Sequence, residues 1–247
     1  MVSTSSDFKT GTKGVAGRCY FFYFENPRDE FTLSKEESNH VIKVLRKKKG
    51  DTLFFTDGKG NQYTVQIGSI NKKSCSVVII DKKKQDKLHK GHLHIAIAPT
   101  KNISRYEWFL EKSTELGIDE ITPIICSNSE RKVINHKRCN KIIISAMKQS
   151  IKYHLPKLNE ITTFKQFTKK NIQQAKYIAH CHESKKLIFH KLKKTNKTTI
   201  LIGPEGDFSK EEVDFALNNN FKSITLGRSR LRTETAAVTS VLINNIF

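Results

Sequence analysis

The sequence predicts an α/β protein in which a small β-barrel domain precedes a larger domain built on a parallel sheet. Three observations lead to this prediction. From Thr199 to the last residue, strand patterns alternate with helix patterns, which is typical of parallel sheets. Residues 52–80 hold short strands separated by Gly, Asn and Asp turns, a pattern typical of small barrels. Between the two regions, residues 81–91 are polar and charged without a regular period, as expected of a linker.

These observations divide the chain of 247 residues into four segments. Residues 1–17 are polar and rich in Gly, Ser and Thr, so we expect a disordered arm or a remnant of cloning. The barrel domain is expected over residues 18–80 and the linker over residues 81–91. Residues 92–247 remain for the α/β domain, which is long enough to bury a core of its own.

The composition favours a polyanionic partner. The formal net charge is +20 at pH 7, and nucleic acid is the commonest partner of so basic a protein. A lysine-rich proteome would raise the charge as well, although the lysines at residues 47–49 and 82–84 are clustered. The apolar runs are far shorter than the roughly eighteen residues of a membrane helix, and the N-terminus lacks the apolar segment of a signal peptide. Five scattered cysteines suggest reduced thiols, so we expect a cytoplasmic protein without membrane contact.

Local patterns predict the barrel elements. Ser34 and Glu37 form a capping-box pair, so we expect a helix from there through Arg46. The run DGKGN at residues 57–61 is a hairpin signal between two strands. The basic residues at the end of the helix favour either contact with RNA phosphates or a solvated helix end, where cations also suit the helix dipole. The predicted strands cover residues 18–24, 52–56, 63–67 and 74–80.

The α/β domain is predicted to begin with the strand at residues 92–98, which Pro99 ends. Ser104 would cap a helix that runs to Leu116, with Gly117 suited to the left-handed residue after the helix. Further strands are expected at residues 121–126 and 177–180, and further helices at residues 137–150 and 164–171.

Two pairs of histidines are candidates for a functional role. His92 and His94 lie on one face of a strand, but no third ligand follows at a suitable spacing, so no metal site is predicted. His180 and His182 follow a strand at the edge where ligands bind. His182 could carry a proton, or the loop could simply line a pocket.

The first of two Gly-containing loops in the C-terminal segment follows the strand at residues 200–202. The run GPEG at residues 203–206 cannot continue a strand and predicts a tight loop. Ser209 and Glu212 then begin a helix with a capping box. Three asparagines at residues 218–220 are suited to end that helix, because asparagine tolerates the left-handed conformation.

The second loop begins at Gly227, which ends the strand at residues 222–226. The run RTET at residues 232–235 then leads into an apolar final helix. Because parallel strands present their carboxyl ends at one edge, both loops should meet there, where ligands bind. Glycine lets a backbone approach a ligand closely. Neither loop matches the P-loop or the G-x-G-x-x-G fingerprint.

The two loops carry the motifs IGPEG-F and LG-x-x-x-LRTETAA in this order. Together they resemble the SPOUT-superfamily methyltransferases that methylate N3 of a uridine in small-subunit ribosomal RNA. The barrel motifs H-x-x-x-V-L-R and DG-x-G-x-x-Y are similar to the same family, and the resemblance covers about residues 18–247. It implies a SPOUT-type domain with a C-terminal trefoil knot, a PUA-like or OB-like barrel before it, and a homodimer.

The resemblance also implies S-adenosylmethionine as the cofactor, bound between the two loops. Arg232 would stabilise the uracil anion, and Glu234 would be the base or an orienting group, although both residues could instead form a salt bridge at the helix start. The residues implied to bind the cofactor are Ile202, Gly203, Glu205, Gly206, Leu226, Gly227 and Leu231. RNA contacts are expected from Arg18, Arg46, Lys47, Lys48, Lys49, Lys101, Arg105 and Arg131.

Two positions depart from the family pattern. Asp207 stands where a second Gly is most common, and the run GRSRL shifts an arginine by one position, so roles for Arg228 and Arg230 are not carried over. Three functions remain open: an enzyme that methylates N3 of a uridine in 16S ribosomal RNA on the assembled small subunit, a SPOUT methyltransferase of another RNA, and a non-catalytic RNA-binding protein. The last would need neither the IGPEG loop nor RTETAA, and both are intact.

Overall fold

The barrel domain is a five-stranded sheet. The computed structural model describes residues 21–71, 74–170, 175–193 and 195–246, so the expected N-terminal arm and Arg18 lie outside the described residues. The strand order is β1-β3-β4-β5-β2, with β1 and β3 parallel and the other pairs antiparallel. The elements are β1 (Phe21–Tyr23), β2 (Glu30–Thr32), α1 (Lys35–Asn39), β3 (Thr52–Thr56), β4 (Asn61–Ile70) and β5 (Cys75–Lys84).

The first helix is shorter than expected. Ser34 caps α1 by accepting a hydrogen bond from the backbone N–H of Glu37 at 3.2 Å. A π-helical turn, His40–Val44, replaces the α-helix predicted to continue through Arg46. The wider turn leaves Val44 63% exposed while Val41 is fully buried, although both would share one face of an α-helix. The expectation of a continuous α-helix was therefore wrong in its second half.

The strand β5 is longer than the sequence predicts. Its last residues, 81–84, pair with residues 61–64 of β4, although the sequence predicts that they belong to the linker. Their side chains are largely exposed, and a polar sequence can still form the backbone ladder on a solvated strand. The boundary that we propose between barrel and linker therefore lies after Lys84.

The α/β domain is built on eight described strands whose pairings are all parallel. The order is β11-β13-β10-β12-β6-β7-β8, and β9 also pairs with β7. The strands are β6 (His92–Ile97), β7 (Glu120–Ile125), β8 (Lys157–Leu158), β9 (Thr162–Thr163), β10 (Ala175–Ala179), β11 (Leu187–Ile188), β12 (Lys197–Ile202) and β13 (Lys222–Thr225). The helices are α2 (Ile103–Leu116), α3 (His136–Gln149), α4 (Phe164–Thr168), α5 (Lys210–Asn218) and α6 (Thr233–Ile246), and a 3-10 turn spans Phe189–Lys191.

Helices cover both faces of this sheet. Alternate residues of β6 point to opposite sides, so that Ile95 packs with α2, α3 and α6, whereas Ala96 packs with α4 and α5. A parallel sheet that is buried on both faces is the architecture that the sequence predicted. The expected trefoil knot stays a prediction.

Local signals set most helix ends. The capping box of Ser209 and Glu212 at the start of α5 is confirmed, and Asn220 adopts a left-handed φ of 66° after the helix. Gly117 ends α2 with a φ of 100°, as expected. The start of α2 differs, because Asn102 is the cap and its side chain accepts from the N–H of Ser104.

Backbone hydrogen bonds join the barrel to the α/β domain. The N–H of Gly60 donates to the carbonyl of Tyr153 at 2.8 Å, and the N–H of Leu155 donates to the carbonyl of Gly58 at 2.8 Å. The ring of Phe21 meets that of Tyr153 edge to face, with centroids 5.2 Å apart. We call this contact between residues 56–60 and residues 153–155 the domain seam. None of the described helices is long and apolar enough to cross a bilayer.

Candidate active site

A cavity of about 500 Å³ lies at the carboxyl ends of β10, β12 and β13. In the sheet, β10 lies between β12 and β13, so the loops that follow these two strands flank the end of β10. They are the two Gly-containing loops of the sequence. The carboxyl ends of parallel strands are the usual place for a ligand, and sites for small molecules commonly have volumes of roughly 300–1,000 Å³. The geometry therefore identifies this cavity as the candidate active site.

The cavity wall includes six of the seven residues implied to bind the cofactor. They are Ile202, Gly203, Glu205, Leu226, Gly227 and Leu231. Gly206 is absent from the described lining. Its carbonyl accepts a hydrogen bond from the side-chain amide of Asn128 at 3.1 Å, so Gly206 contacts the loop after β7. The structure thus brings together both loops but turns one loop residue away from the cavity.

Two positions in the first loop differ in whether they can carry a side chain. A Cβ on Gly203 would lie 3.1 Å from the ring of Phe208 and 3.2 Å from its backbone nitrogen, so only glycine fits comfortably. Asp207 has a φ of 62°, a conformation that favours glycine and that Asp tolerates better than most residues. Its carboxylate accepts the N–H of Cys181 at 2.7 Å. The departure from the family pattern at this position therefore links the first loop to the end of β10.

Carboxylates also fix the first loop to neighbouring strand ends. Glu205 accepts the backbone N–H of Lys101, after β6, at 3.0 Å. Glu212 accepts the N–H of Ser127, after β7, at 2.8 Å. These bonds satisfy backbone donors that would otherwise be left unpaired at the ends of the strands. The loop between β12 and α5 is consequently held to two other strands of the sheet edge.

Several cationic side chains line the cavity. Arg232 lies at the cavity, is exposed, and precedes the first residue of α6. Its carbonyl accepts the N–H of Ala236, which begins the helix. The other cations in the lining are Lys186, Arg228 and Arg230, and the carboxylates are Glu205 and Asp207. A ligand in this cavity would meet charges of both signs.

The carboxylate of Glu234 lies beside Arg105 of α2. The side chain of Glu234 is buried, is not part of the described cavity wall, and has one carboxylate oxygen 3.8 Å from Nε of Arg105 on α2. The other oxygen has no hydrogen-bond partner among the described residues. The ion pair of Glu234 is therefore with Arg105 rather than with Arg232. The roles of Glu234 as a base or an orienting group stay predictions.

Two histidines lie in the segment that follows β10. His182 donates from Nε2 to the carbonyl of Phe208 at 2.6 Å, so this nitrogen is already used within the protein. His180 lines the cavity, and its Nε2 lies 2.9 Å from Oγ of Ser223 on β13. Burial lowers the pKa of His180 to about 4, with a further contribution from the positive charge of Lys186. The imidazole of His180 is therefore neutral at physiological pH.

The basic residues expected to contact RNA fall into two groups. In the barrel, Arg46, Lys48 and Lys49 are exposed, and Lys47 is half-buried. The loop is folded by Asp51, whose carboxylate accepts the N–H of Lys48 at 2.9 Å. Arg46 has a left-handed φ of 52°, an uncommon conformation for arginine. The loop thus presents three cations to solvent.

The second group lies after β6 at the edge that holds the cavity. Lys101 is exposed and its ammonium is 2.8 Å from a carboxylate oxygen of Glu130. Arg131 donates from Nη2 to the carbonyl of Lys101 at 2.7 Å, and from Nε to that of Thr100 at 3.0 Å. Two of its donors are therefore used to brace a loop, which leaves less of the guanidinium for RNA. Arg105 forms the ion pair with Glu234.

No metal centre is apparent within the described ranges. His92 and His94 lie beside Glu120 at the opposite, amino edge of the sheet, with ring nitrogens 3.5 and 3.8 Å from one of its oxygens. Even so, no three His, Cys, Asp or Glu side chains in the described part of the chain are arranged to hold a metal ion.

The cavity wall also includes residues outside the predicted sets of catalytic and cofactor-binding residues. Lys186, Arg228 and Arg230 line it, although neither arginine could be assigned a role from the family pattern. The sequence does place each of these residues in a loop that follows a predicted strand. This position is shared by many other residues, so it does not identify a site. The sequence places His180 only in a segment at the ligand edge, and its place in the cavity wall depends on the pairing of β10 between two strands.

The fold and the cavity define a class of enzyme once they are compared with known families. Residues 86–244 match the family described as "RNA methyltransferase domain", and residues 33–80 match "RNA methyltransferase PUA domain". The chain belongs to this RNA methyltransferase family. The predicted fold class, a PUA-like barrel followed by a SPOUT-type α/β domain, is thereby confirmed.

Individual relatives point to one branch of the family. Ribosomal RNA small subunit methyltransferase E of Rickettsia conorii is 32% identical over 222 residues, which covers 88% of this chain and 89% of the relative. A probable rRNA-methyltransferase from Porphyromonas gingivalis has a TM-score of 0.85 at 37% identity and covers 90% of this chain and 94% of its own. A Ribosomal RNA small subunit methyltransferase E from Neisseria gonorrhoeae, solved bound to S-adenosyl methionine, has a TM-score of 0.78 at 25% identity, with 90% and 94% covered.

Proposed function

We propose that this chain is an S-adenosylmethionine-dependent methyltransferase that methylates N3 of a uridine in small-subunit ribosomal RNA. The observation that carries the proposal is the cavity between the two Gly-containing loops, with Arg232 at its wall. The relatives named as small-subunit ribosomal RNA methyltransferases support methyl transfer to this class of RNA.

The residues of the cavity suit this cofactor. Ile202, Leu226 and Leu231 offer apolar surface for an adenine ring, and Gly203 and Gly227 allow the backbone to approach it. The cavity volume of about 500 Å³ is in the range of small-molecule sites. The bound cofactor supplies a methyl group on a sulfonium, which is a good leaving group.

Arg232 would stabilise the uracil as it becomes an anion. The proton on uracil N3 is only weakly acidic, so the enzyme must favour the form that has lost it. A fixed cation beside the developing negative charge lowers the free energy of that form. The exposed guanidinium of Arg232 is free to approach a base that enters the cavity from solvent. Most of the remaining rate enhancement would come from holding the base in line with the methyl group.

The finer assignments follow from the resemblance and from charge. We propose 16S ribosomal RNA within the assembled small subunit as the substrate, a homodimer as the active form, and the cytoplasm as the compartment. The net charge of +20 and the exposed loop at residues 46–49 favour a large polyanion over free uridine.

The test begins with calorimetric titration of the purified protein with S-adenosylmethionine. We expect one binding site per chain. The protein and labelled cofactor are then incubated with small subunits, naked 16S RNA or large subunits, and the modified nucleosides are identified by mass spectrometry. We expect 3-methyluridine from small subunits above all. Cofactor binding without methylation of any of these RNAs would point to another RNA substrate. A folded protein that binds RNA but not the cofactor would be a non-catalytic RNA-binding protein.

The barrel loop supplies a second test of the RNA partner. Replacing Lys47, Lys48 and Lys49 with Glu should weaken RNA binding and reduce the slope of log K against log salt by about two or three, because each phosphate contact releases counterions. The matched control replaces the lysines at residues 82–84, which carry the same charge on β5. If both triple variants lose the same affinity and the same salt slope, only the total charge matters and the loop has no specific role.

A further inference from the structure

His180 is placed between the two walls of the cavity. It directly follows β10, whose last residue, Ala179, pairs with Ile202 on one side and with Ile224 on the other. These partners end or nearly end the strands that lead into the two Gly-containing loops. A residue at the end of β10 therefore adjoins any ligand held between those loops, and His180 is part of the cavity lining.

One ring nitrogen of His180 has no partner in the described part of the chain. The residue is only 7% exposed, and Nε2 is 2.9 Å from Oγ of Ser223. Its Nδ1 is buried and has no hydrogen-bond partner among the described residues. A buried polar atom without a partner is unfavourable, and a bound ligand that provides the partner removes this cost. The unpartnered nitrogen of His180 is thus evidence for a contact that the described residues do not supply.

The chemistry of His180 limits what that contact can be. The ring is neutral at physiological pH, because burial lowers its pKa to about 4. The Ser223 hydroxyl can rotate to donate to Nε2 or to accept from it, so Nδ1 is either a donor or an acceptor. A ligand hydroxyl matches both cases, since it donates and accepts. The cofactor also carries the charged carboxylate and amino groups of its methionine part. Lys186 and Asp207, elsewhere in the cavity wall, match these charges better.

We propose that His180 is a specificity residue for the cofactor and that its Nδ1 forms a hydrogen bond with a ribose hydroxyl of S-adenosylmethionine. The inference rests on the proposed function. It assigns His180 to binding rather than to proton removal, because a buried imidazole with so low a pKa is a weak base at neutral pH.

The test is a ligand and protein double-mutant cycle measured by calorimetry. The ligands are S-adenosylhomocysteine and its 2′-deoxy and 3′-deoxy analogues, and the proteins are the wild type, His180→Phe and His180→Asn. We expect the wild type to bind one deoxy analogue about 10-fold more weakly than the parent, as the loss of one hydrogen bond gives. His180→Phe should bind the parent about 10-fold more weakly and no longer distinguish it from that analogue. His180→Asn should recover part of the discrimination.

His182→Phe is the matched control, because it removes a neighbouring imidazole that is bonded to the carbonyl of Phe208. This variant should keep the discrimination between the parent and the deoxy ligand. A measurement on the wild type makes the test independent of any variant that fails to fold. The nitrogen resonance of Nδ1 in His180 should shift on addition of S-adenosylhomocysteine and shift much less with the discriminated analogue.

The outcomes separate the inference from the proposed function. If the folded wild type binds neither S-adenosylmethionine nor S-adenosylhomocysteine, the proposed function fails and this inference fails with it. If the wild type binds the parent ligand but His180→Phe discriminates the deoxy analogues as the wild type does, the cofactor site stands and the role of His180 is overturned. An unchanged Nδ1 resonance on ligand binding would overturn it as well.

Discussion

The two edges of the parallel sheet in the α/β domain differ in the surroundings of their charged groups. At the carboxyl edge, cations and carboxylates line a cavity of about 500 Å³, and the buried Nδ1 of His180 has no partner in the described chain. At the amino edge, Asp119 accepts hydrogen bonds from the side chain of Lys87, from Nε2 of His89 at 3.0 Å and from the N–H of Leu93 at 2.8 Å.

The next carboxylate along the amino edge also has partners within the protein. Glu120 accepts from the side-chain amide of Asn159 at 2.7 Å and lies beside His92 and His94. His94 is buried, and its pKa is lowered to about 4, mainly by that burial. A cluster of ionisable residues therefore does not by itself identify a site. What distinguishes the carboxyl edge is that its charged and polar groups line a cavity, whereas those of the amino edge mostly bond to one another, with the buried Nδ1 of His92 as an exception among the described residues.

The largest effect should come from the carboxyl edge. Arg232→Ala should reduce kcat for methylation at least about 100-fold while leaving the affinity for S-adenosylmethionine within about three-fold, because the lost charge acts on the uracil anion. Single-turnover methylation of small subunits and calorimetry give the two values. Arg232→Lys is the matched variant, and its retained charge should preserve part of the rate. Near-normal turnover of Arg232→Ala would remove this residue from the mechanism.

The amino edge should respond in stability alone. Asp119→Asn should lower the free energy of unfolding by roughly 2 kcal/mol, since a buried carboxylate with three donors is replaced by a weaker acceptor. Cofactor affinity should not change. The control is Asp81→Asn, whose ion pair with Lys83 at 3.0 Å is exposed and should contribute less than about 0.5 kcal/mol. A large loss of cofactor affinity in Asp119→Asn would contradict the division between the two edges.

The stability that Asp119 contributes should decrease as the pH falls. Hydrogen bonds from His89, Lys87 and the backbone hold the pKa of Asp119 well below its ordinary value. A carboxylate with a depressed pKa contributes stability that is fully present above its unfolded pKa, near pH ~4, and is lost as the pH falls through the lower folded value. Denaturation at several pH values should therefore show the difference between wild type and Asp119→Asn at neutral pH and its decrease below about pH 4. A difference that grows as the pH falls would contradict this account.

The smallest predicted effect is a gain of stability beside the amino edge. Ile151 lines a small cavity with Lys87 and His89 and has a φ of 51°, an unfavourable conformation for a β-branched residue. Ile151→Gly should raise the free energy of unfolding by about 1 kcal/mol, because the left-handed conformation costs glycine little. Asn220→Gly, with a φ of 66° after α5, should change stability less, since asparagine already tolerates this conformation. Equal gains at both positions would show that strain at Ile151 is not the cause.

Local chemistry explains which parts of the fold could be predicted. The strand–loop–helix repeat from Thr199 onward, the capping box at Ser209 and the left-handed asparagine after α5 are all encoded within a few residues. The α-helix expected through Arg46 is instead a π-helical turn, with Val41 in the core of the barrel and Val44 exposed. Such a choice depends on neighbours distant in sequence and has no local signal.

The candidate site divides in the same way. Gly203 and Gly227, which line the cavity, could be found because the motifs that contain them are local in the sequence. The ion pair of Glu234 could not be predicted, because its partner Arg105 lies on another helix that is distant in the sequence. The same holds for Gly206, whose environment is set by Asn128 after a different strand. Residues whose roles depend on which elements meet are predicted only once the order of the strands is known.

The domain seam has a consequence for how the molecule unfolds. The hairpin turn of the barrel shares backbone hydrogen bonds with Tyr153 and Leu155, and Lys148 on α3 lies 3.5 Å from a carboxylate oxygen of Glu37 and 5.6 Å from the ring centre of Phe22. Neither domain can open without breaking bonds that the other domain also uses. Heat should therefore melt both in a single cooperative transition, and a lesion in either domain should lower the melting temperature of the whole chain.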